Sequence, residues 1–279
     1  MKKWLTLTAM CLVLAACGPG LVYPNLDWII PKYVDDYISL DDRQADRLKA
    51  CLNRQLKWHC WAQLPAYADL LQTLARDIGD PARPVTPERL ATHLNRIEAL
   101  WLELRVQLAP EIADVLATTT DAQLAEFYET LDRKNRKLRR KYVDAPPAEV
   151  RRRWKKRMVK RLDYWLPELT PAQEAALDEW SRSLIPMAAE RIEDRKRVQA
   201  AFQRILERRQ DGKRFRSEFT NLLATYDQMR TPAYQAKRDA NTAHTLTFLA
   251  RIFGMLTPAQ RSRAVDRLDS LSRSFQRLA

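Results

Sequence analysis

Glycine is nearly missing from this chain, at five residues in 279. That leaves little material for the tight hairpins and bulges of a sheet, and no stretch alternates apolar with polar residues as a half-buried strand would. Long apolar runs are missing as well. Residues 4–13 are apolar but too few to span a bilayer as a helix, and elsewhere charge interrupts the apolar residues every few positions. Histidine is scarce: His59, His93 and His244 are the only three, and none stands in a setting that names a nucleophile–base pair or a zinc set. Asp35, Asp36, Asp41 and Asp42 lie close together, but carboxylates so spaced cap helices more readily than they hold a metal. The absences argue against an enzyme, and no cofactor or metal is implied.

What is present is a helix-forming composition rich in Leu, Ala, Arg, Lys, Glu and Gln. It predicts a single all-α domain of about eight to ten long helices, antiparallel where the connections are short. The expected helices begin near Asp41, after Pro65, at Thr86-Pro87, at Thr120-Asp121, after Pro147, at Pro171, after Gly212, at Thr231-Pro232 and at Thr257-Pro258. Leu90, Leu94, Ile97, Trp101, Leu104 and Leu108 make one apolar stripe, with Pro110 as punctuation. The helix from Pro171 reads as the longest, kinked at Pro186.

The pentapeptide Leu-Thr-Pro-Ala-Gln occurs twice, at residues 169–173 and 256–260, with looser copies at 40–44 and 119–123. Locally it is a way to begin a helix. Thr caps a first-turn N–H, Pro at N1 gives up a donor that had no partner, and Gln at N3 reaches back to the cap. The leading Leu can staple onto N4. The intervals of 79, 50 and 87 residues share no period, so the chain is not a solenoid. Two L-T-x-x-Q boxes also resemble the mark of Spy/CpxP-type periplasmic chaperones, and that likeness implies a basic helical cradle that holds unfolded clients without ATP.

The amino terminus carries a second resemblance. Met1-Lys2-Lys3, the apolar residues after it and Leu14-Ala15-Ala16-Cys17 resemble a bacterial lipoprotein signal. The likeness implies a signal peptide over 1–16, a lipidated tether over 17–25 and an all-helical periplasmic domain over 26–279. Cys17 would carry a diacylglycerol and a further acyl chain such as palmitate. At about 0.8 kcal/mol per buried methylene, three chains hold a protein on a membrane. Gly18 rather than Asp after the cysteine implies the outer membrane. Loss of Lys2 and Lys3 takes the formal charge from +13 to +11.

Tyr23, Asp27-Trp28, residues 35–44, Trp58-His59 and residues 64–67 further resemble the opening of an uncharacterised family of proteobacterial lipoproteins with an all-α domain. Cys51 and Cys60 depart from that family, which leads one to expect ordinary helix residues there. On one continuous helix the two would be about 13 Å apart along the axis and on opposite faces, too far for a disulfide.

Two basic runs, at 133–141 and 151–161, flank residues 144–147, and a helical hairpin there would bring them side by side. Arg136, Arg139, Arg140, Arg151, Arg152, Arg153, Lys155 and Lys156 are the candidate ligand-binding residues. A periplasmic address removes nucleic acid as a partner and leaves anionic lipid, lipopolysaccharide phosphates or acidic unfolded polypeptide. The same runs read equally well as a solvated face. The tryptophans, Trp58, Trp61, Trp101, Trp154, Trp165 and Trp180 among them, are core residues first and groove residues second. Two functions follow as expectations: a membrane-anchored binding or chaperone-like lipoprotein, or a scaffold joining the membrane to a folded protein partner.

Overall fold

The computed structural model describes residues 23–279, so the expected signal peptide, Cys17 and most of the tether lie outside the described residues. After a 3-10 turn at Tyr23–Asn25 come α1 (Leu26–Asp35), α2 (Asp42–Ala62), α3 (Leu64–Gly79), α4 (Pro87–Leu116), α5 (Asp121–Tyr142) and α6 (Pro147–Trp165). There follow α7 (Pro171–Ser183), α8 (Ala188–Leu206), α9 (Gly212–Thr225), a 3-10 turn at Tyr226–Met229, α10 (Pro232–Gly254) and α11 (Pro258–Leu278). Among the described residues there is no strand, and the all-α domain read from the sequence is what forms. None of these helices is long and apolar enough to cross a membrane.

Pro110 and Pro186 both behave differently from expectation. Pro110 does not interrupt α4, which at 30 residues is the longest helix. Ala109 and Ala113 beside it are small and fully buried against Phe215 and Phe219 of α9, so packing holds the helix through the missing hydrogen bond. Pro186 does more than kink. The residue before a proline is pushed toward extended backbone; α7 ends at Ser183, and residues 184–187 are non-helical. Asn241 of α10 replaces the lost partners. Its Oδ1 accepts from the Ile185 N–H and its Nδ2 donates to the Ile185 carbonyl, both at 2.8 Å.

Contacts along each pair set the helices antiparallel. Residues 68 and 78 of α3 meet 272 and 261 of α11. Trp101 and Asp114 of α4 meet Tyr226 and Arg216. Glu179 and Trp180 of α7 meet Arg251 and Thr245 of α10. Phe127 and Asn135 of α5 meet Phe202 and Arg195 of α8. The main core lies between α3, α6, α7, α10 and α11, with Ile78, Leu162, Leu177, Ile252 and Leu268 at its centre.

The four capping boxes pair off. Thr170 and Thr257 each cap the N–H of the Gln three residues on, and each Gln side chain accepts from its own cap N–H. The two glutamines then exchange amide hydrogen bonds: Gln173 Nε2 donates to Gln260 Oε1 at 2.8 Å, and Gln260 Nε2 to Gln173 Oε1 at 3.0 Å. Each Nε2 also donates to a carbonyl before the partner's box, Met255 and Glu168. Gln44 and Gln123 repeat the arrangement at 3.1 and 2.7 Å, with the Thr118 and Ser39 carbonyls. Leu169 and Leu256 join the main core. Their expected staple partners, the N4 residues Glu174 and Arg261, are polar and offer no apolar surface.

The Tyr23 hydroxyl lies 2.9 Å from His59 Nδ1 and 3.1 Å from the Leu56 carbonyl, and accepts from Cys60 Sγ at 3.3 Å. Burial raises the Tyr23 pKa and lowers that of His59 to about 4, so these two rings are neutral at physiological pH. Cys51 and Cys60 sit on the continuous α2 and are free thiols.

An amide that loses its partner inside the protein keeps its desolvation cost, about 1–3 kcal/mol. Gln173→Ala is therefore expected to lower unfolding free energy by about 2–4 kcal/mol. Adding Gln260→Ala is expected to cost less than its own single effect, with a coupling of about 1 kcal/mol or more in a denaturant double-mutant cycle. Strict additivity would show that the two amides do not act as one clasp.

Candidate functional site

The two basic runs do not form a packed hairpin. α5 continues along α8, while α6 packs on α7 and α11. The runs meet at their near ends, where Arg153 Nη1 donates to the Lys141 carbonyl at 2.6 Å and Arg157 stacks 4.7 Å over the Tyr142 ring. Three of the eight candidates are tied to acids: Arg153 to Glu149, Lys155 to Asp178, and Arg139 to Asp144 at 3.5 Å. Arg136, Arg140, Arg151, Arg152 and Lys156 are exposed and have no carboxylate partner among the described residues.

The inward side of α6 tells a different story. Trp154, Arg157, Met158 and Arg161 recur at helical spacing on one face, and Arg152 and Lys156 point the opposite way at about 100° per residue. That face lines a cleft of about 380 Å³, partly open to solvent and bounded by α3, α4, α5, α6, α7, α8, α10 and residues 184–187. Its walls are apolar, with Leu90, Leu94, Ile97, Trp180, Leu249 and Phe253 prominent. Four arginines also line it, Arg157, Arg161, Arg191 and Arg238, and no Asp or Glu does.

Charges of one sign in an apolar wall are costly. Arg191 feels this most: burial first, then repulsion from Arg195, Arg157 and Arg238, brings its pKa down to about 10, with Tyr234 pulling the other way. Burial also lowers Arg161, and it lowers Arg157 together with repulsion from Arg161. Arg191 remains a cation at physiological pH. The Nη1 of Arg157 is buried with no hydrogen-bond partner. His93 at the same wall differs, because its Nε2 is 2.7 Å from Asp77, which also meets Arg89 at 3.3 Å. The non-helical segment at Pro186, held by Asn241, lets Ile185 and Met187 join the wall.

Arg157 and Arg161 fall inside a run read from the sequence as surface charge; Arg191 and Arg238 escape notice there altogether. The available signal is that Arg157 and Arg161 share a helix face with Trp154, Met158 and Leu162, where a solvated face would carry no large apolar residues. Of the tryptophans among the described residues, Trp154 and Trp180 line the cleft and only Trp180 is buried. Trp28 and Trp61 are exposed, at 65% and 66%. Among the described residues no group of three His, Cys, Asp or Glu could hold a metal ion.

The fold and cleft thus define an all-α bundle with a basic, apolar-walled site. The family model for DUF6279, a family of unknown function, matches residues 36–235, and the chain belongs to that family. No curated protein and no solved structure matches the chain.

A cation buried without a counter-charge lowers stability, and an apolar side chain of similar length removes that cost. Arg191→Met is expected to raise unfolding free energy by about 1–3 kcal/mol, read as a higher denaturant midpoint at unchanged m. A loss of stability would mean that the Arg191 charge is satisfied within the protein.

Proposed function

We propose that this chain is a lipid-anchored binding protein of the bacterial envelope, which holds an anionic, partly apolar component in the arginine cleft without transforming it. The observation that carries the reading is four guanidinium groups in an apolar wall with no carboxylate among them. A protein burying cations for stability alone would set acids opposite them. An apolar cleft with a few convergent polar groups is the usual form of a ligand site.

The residues around Cys17 and Gly18 support an outer-membrane anchor on the periplasmic side, in keeping with the likeness to proteobacterial lipoproteins. Tyr23, buried against α2, lies six residues beyond Cys17, which limits the tether to about 20 Å of extended chain. The exposed cations Arg136, Arg140, Arg151, Arg152 and Lys156 suit orientation at an anionic surface. The L-T-x-x-Q boxes are the feature shared with Spy/CpxP-type chaperones, a likeness of sequence. Here they are largely buried clasps, so a compact ligand in the cleft is favoured over an unfolded client held along the surface.

Residues 18–279 keep every described helix and serve for the test. Anilinonaphthalene sulfonate, an amphiphilic anion that brightens in apolar sites, is expected to occupy one saturable site. Arg191→Met is expected to weaken it at least about tenfold, since a hydrogen bond to a charged group contributes about 1.5–3 kcal/mol. Reversal of Arg151, Arg152 and Arg153 to Glu is expected to leave this binding within about twofold while abolishing salt-sensitive attachment to anionic vesicles. Unchanged binding by Arg191→Met would remove the cleft as the site.

A further inference from the structure

The lining of the cleft is graded along one helix. In α10 it runs from Arg238 through Asn241, Thr242 and Thr245 to Leu246, Leu249 and Phe253. At 1.5 Å per residue the polar and apolar ends are about 22 Å apart. Arg157 and Arg238 both lie close enough to Arg191 to repel its charge, so these three cationic side chains gather toward one end. Leu90 and Phe248 join the main core with Ile252, on the side toward the other end of α10.

This grading selects among anions. A small inorganic anion would meet the guanidinium groups and leave the apolar wall wet. A neutral hydrophobe would fill the wall and leave Arg157, Arg161 and Arg191 with no acid in the cleft to meet them, at a cost in buried charge. A ligand with an acidic head and an apolar tail satisfies both ends. A volume of about 380 Å³ is near the low end of the roughly 300–1,000 Å³ common for small-molecule sites, which suits one chain and not two.

Resting on the binding role proposed above, we infer that the cleft takes a single-chain lipid with a carboxylate or phosphate head. The head is bound by Arg191, Arg157 and Arg238, with Arg161 beside them, in charge-assisted hydrogen bonds. The chain lies against Leu246, Leu249 and Phe253 of α10 and Leu94 and Ile97 of α4.

Calorimetric titration of residues 18–279 below the micelle concentration of each probe tests this. Across octanoate, decanoate and laurate, affinity is expected to rise about three- to fourfold per methylene, the ratio for about 0.8 kcal/mol each. Dodecyl phosphate is expected to bind with laurate, and dodecyltrimethylammonium at least about 100-fold more weakly. Arg161→Met and Arg191→Met are each expected to weaken laurate at least about tenfold with helicity unchanged. Leu249→Trp, which narrows the apolar end, is expected to penalise laurate more than octanoate. Inorganic phosphate binding as tightly as dodecyl phosphate would overturn the lipid assignment while leaving an anion site in place. Equal binding of the cationic amphiphile would overturn the role of the arginines. Failure of every anion would remove both this inference and the binding role beneath it.

Discussion

Two pairs of glutamine amides fix where this bundle begins. Each amide accepts from its own helix cap, exchanges hydrogen bonds with its twin and donates to a carbonyl before the twin's box. One side chain thereby closes a helix start, ties it to a second start and satisfies a loop carbonyl, with no donor left over. The clasp joining α7 to α11 is fully buried, while the one joining α2 to α5 leaves Gln123 partly exposed. The exact pentapeptide appears in the buried pair and the looser copies in the other, as expected if burial makes every hydrogen bond more costly to lose.

With those starts fixed, the antiparallel pairs can carry a site that is unfavourable for the protein alone. Arg157, Arg161 and Arg191 line one apolar cleft with no acid in its wall, and the Tyr142 ring under Arg157 offsets only part of that cost. The cost is tolerable because it is surrounded by well-satisfied structure: the paired clasps, the α3–α11 packing and the Asn241 bridge that holds residues 184–187 open. Stability given up at one place and made good at others is the usual signature of a binding site. The proposed ligand supplies the missing negative charge.

The helices were legible in the sequence because their starts are written in capping chemistry. Thr86, Thr120, Thr170, Thr231 and Thr257 each cap a helix as their local residues indicate. What neighbours decide was not legible. Pro110 stays helical because Ala109 and Ala113 allow α9 to pack closely, and Pro186 breaks the chain with Asn241 at hand to satisfy it. The basic runs named the right helix and the wrong face: Arg151, Arg152 and Lys156 were the obvious cations, while Arg157 and Arg161 on the apolar side line the cleft. Arg191 and Arg238 become a pair only when α8 and α10 are brought together, which no local spacing encodes. Cys60 gained a reason too, as a donor to the Tyr23 hydroxyl that ties the start of the described chain to α2.

The central claim is that the cleft is occupied in the envelope by one anionic chain. Native mass spectrometry of the protein extracted from bacterial envelopes tests it most directly. The expected result is a mass excess of one single-chain acidic lipid over the protein itself, present in the unaltered protein and absent from Arg191→Met. An unaltered protein that emerges bare, or an adduct that persists in Arg191→Met, would contradict the account.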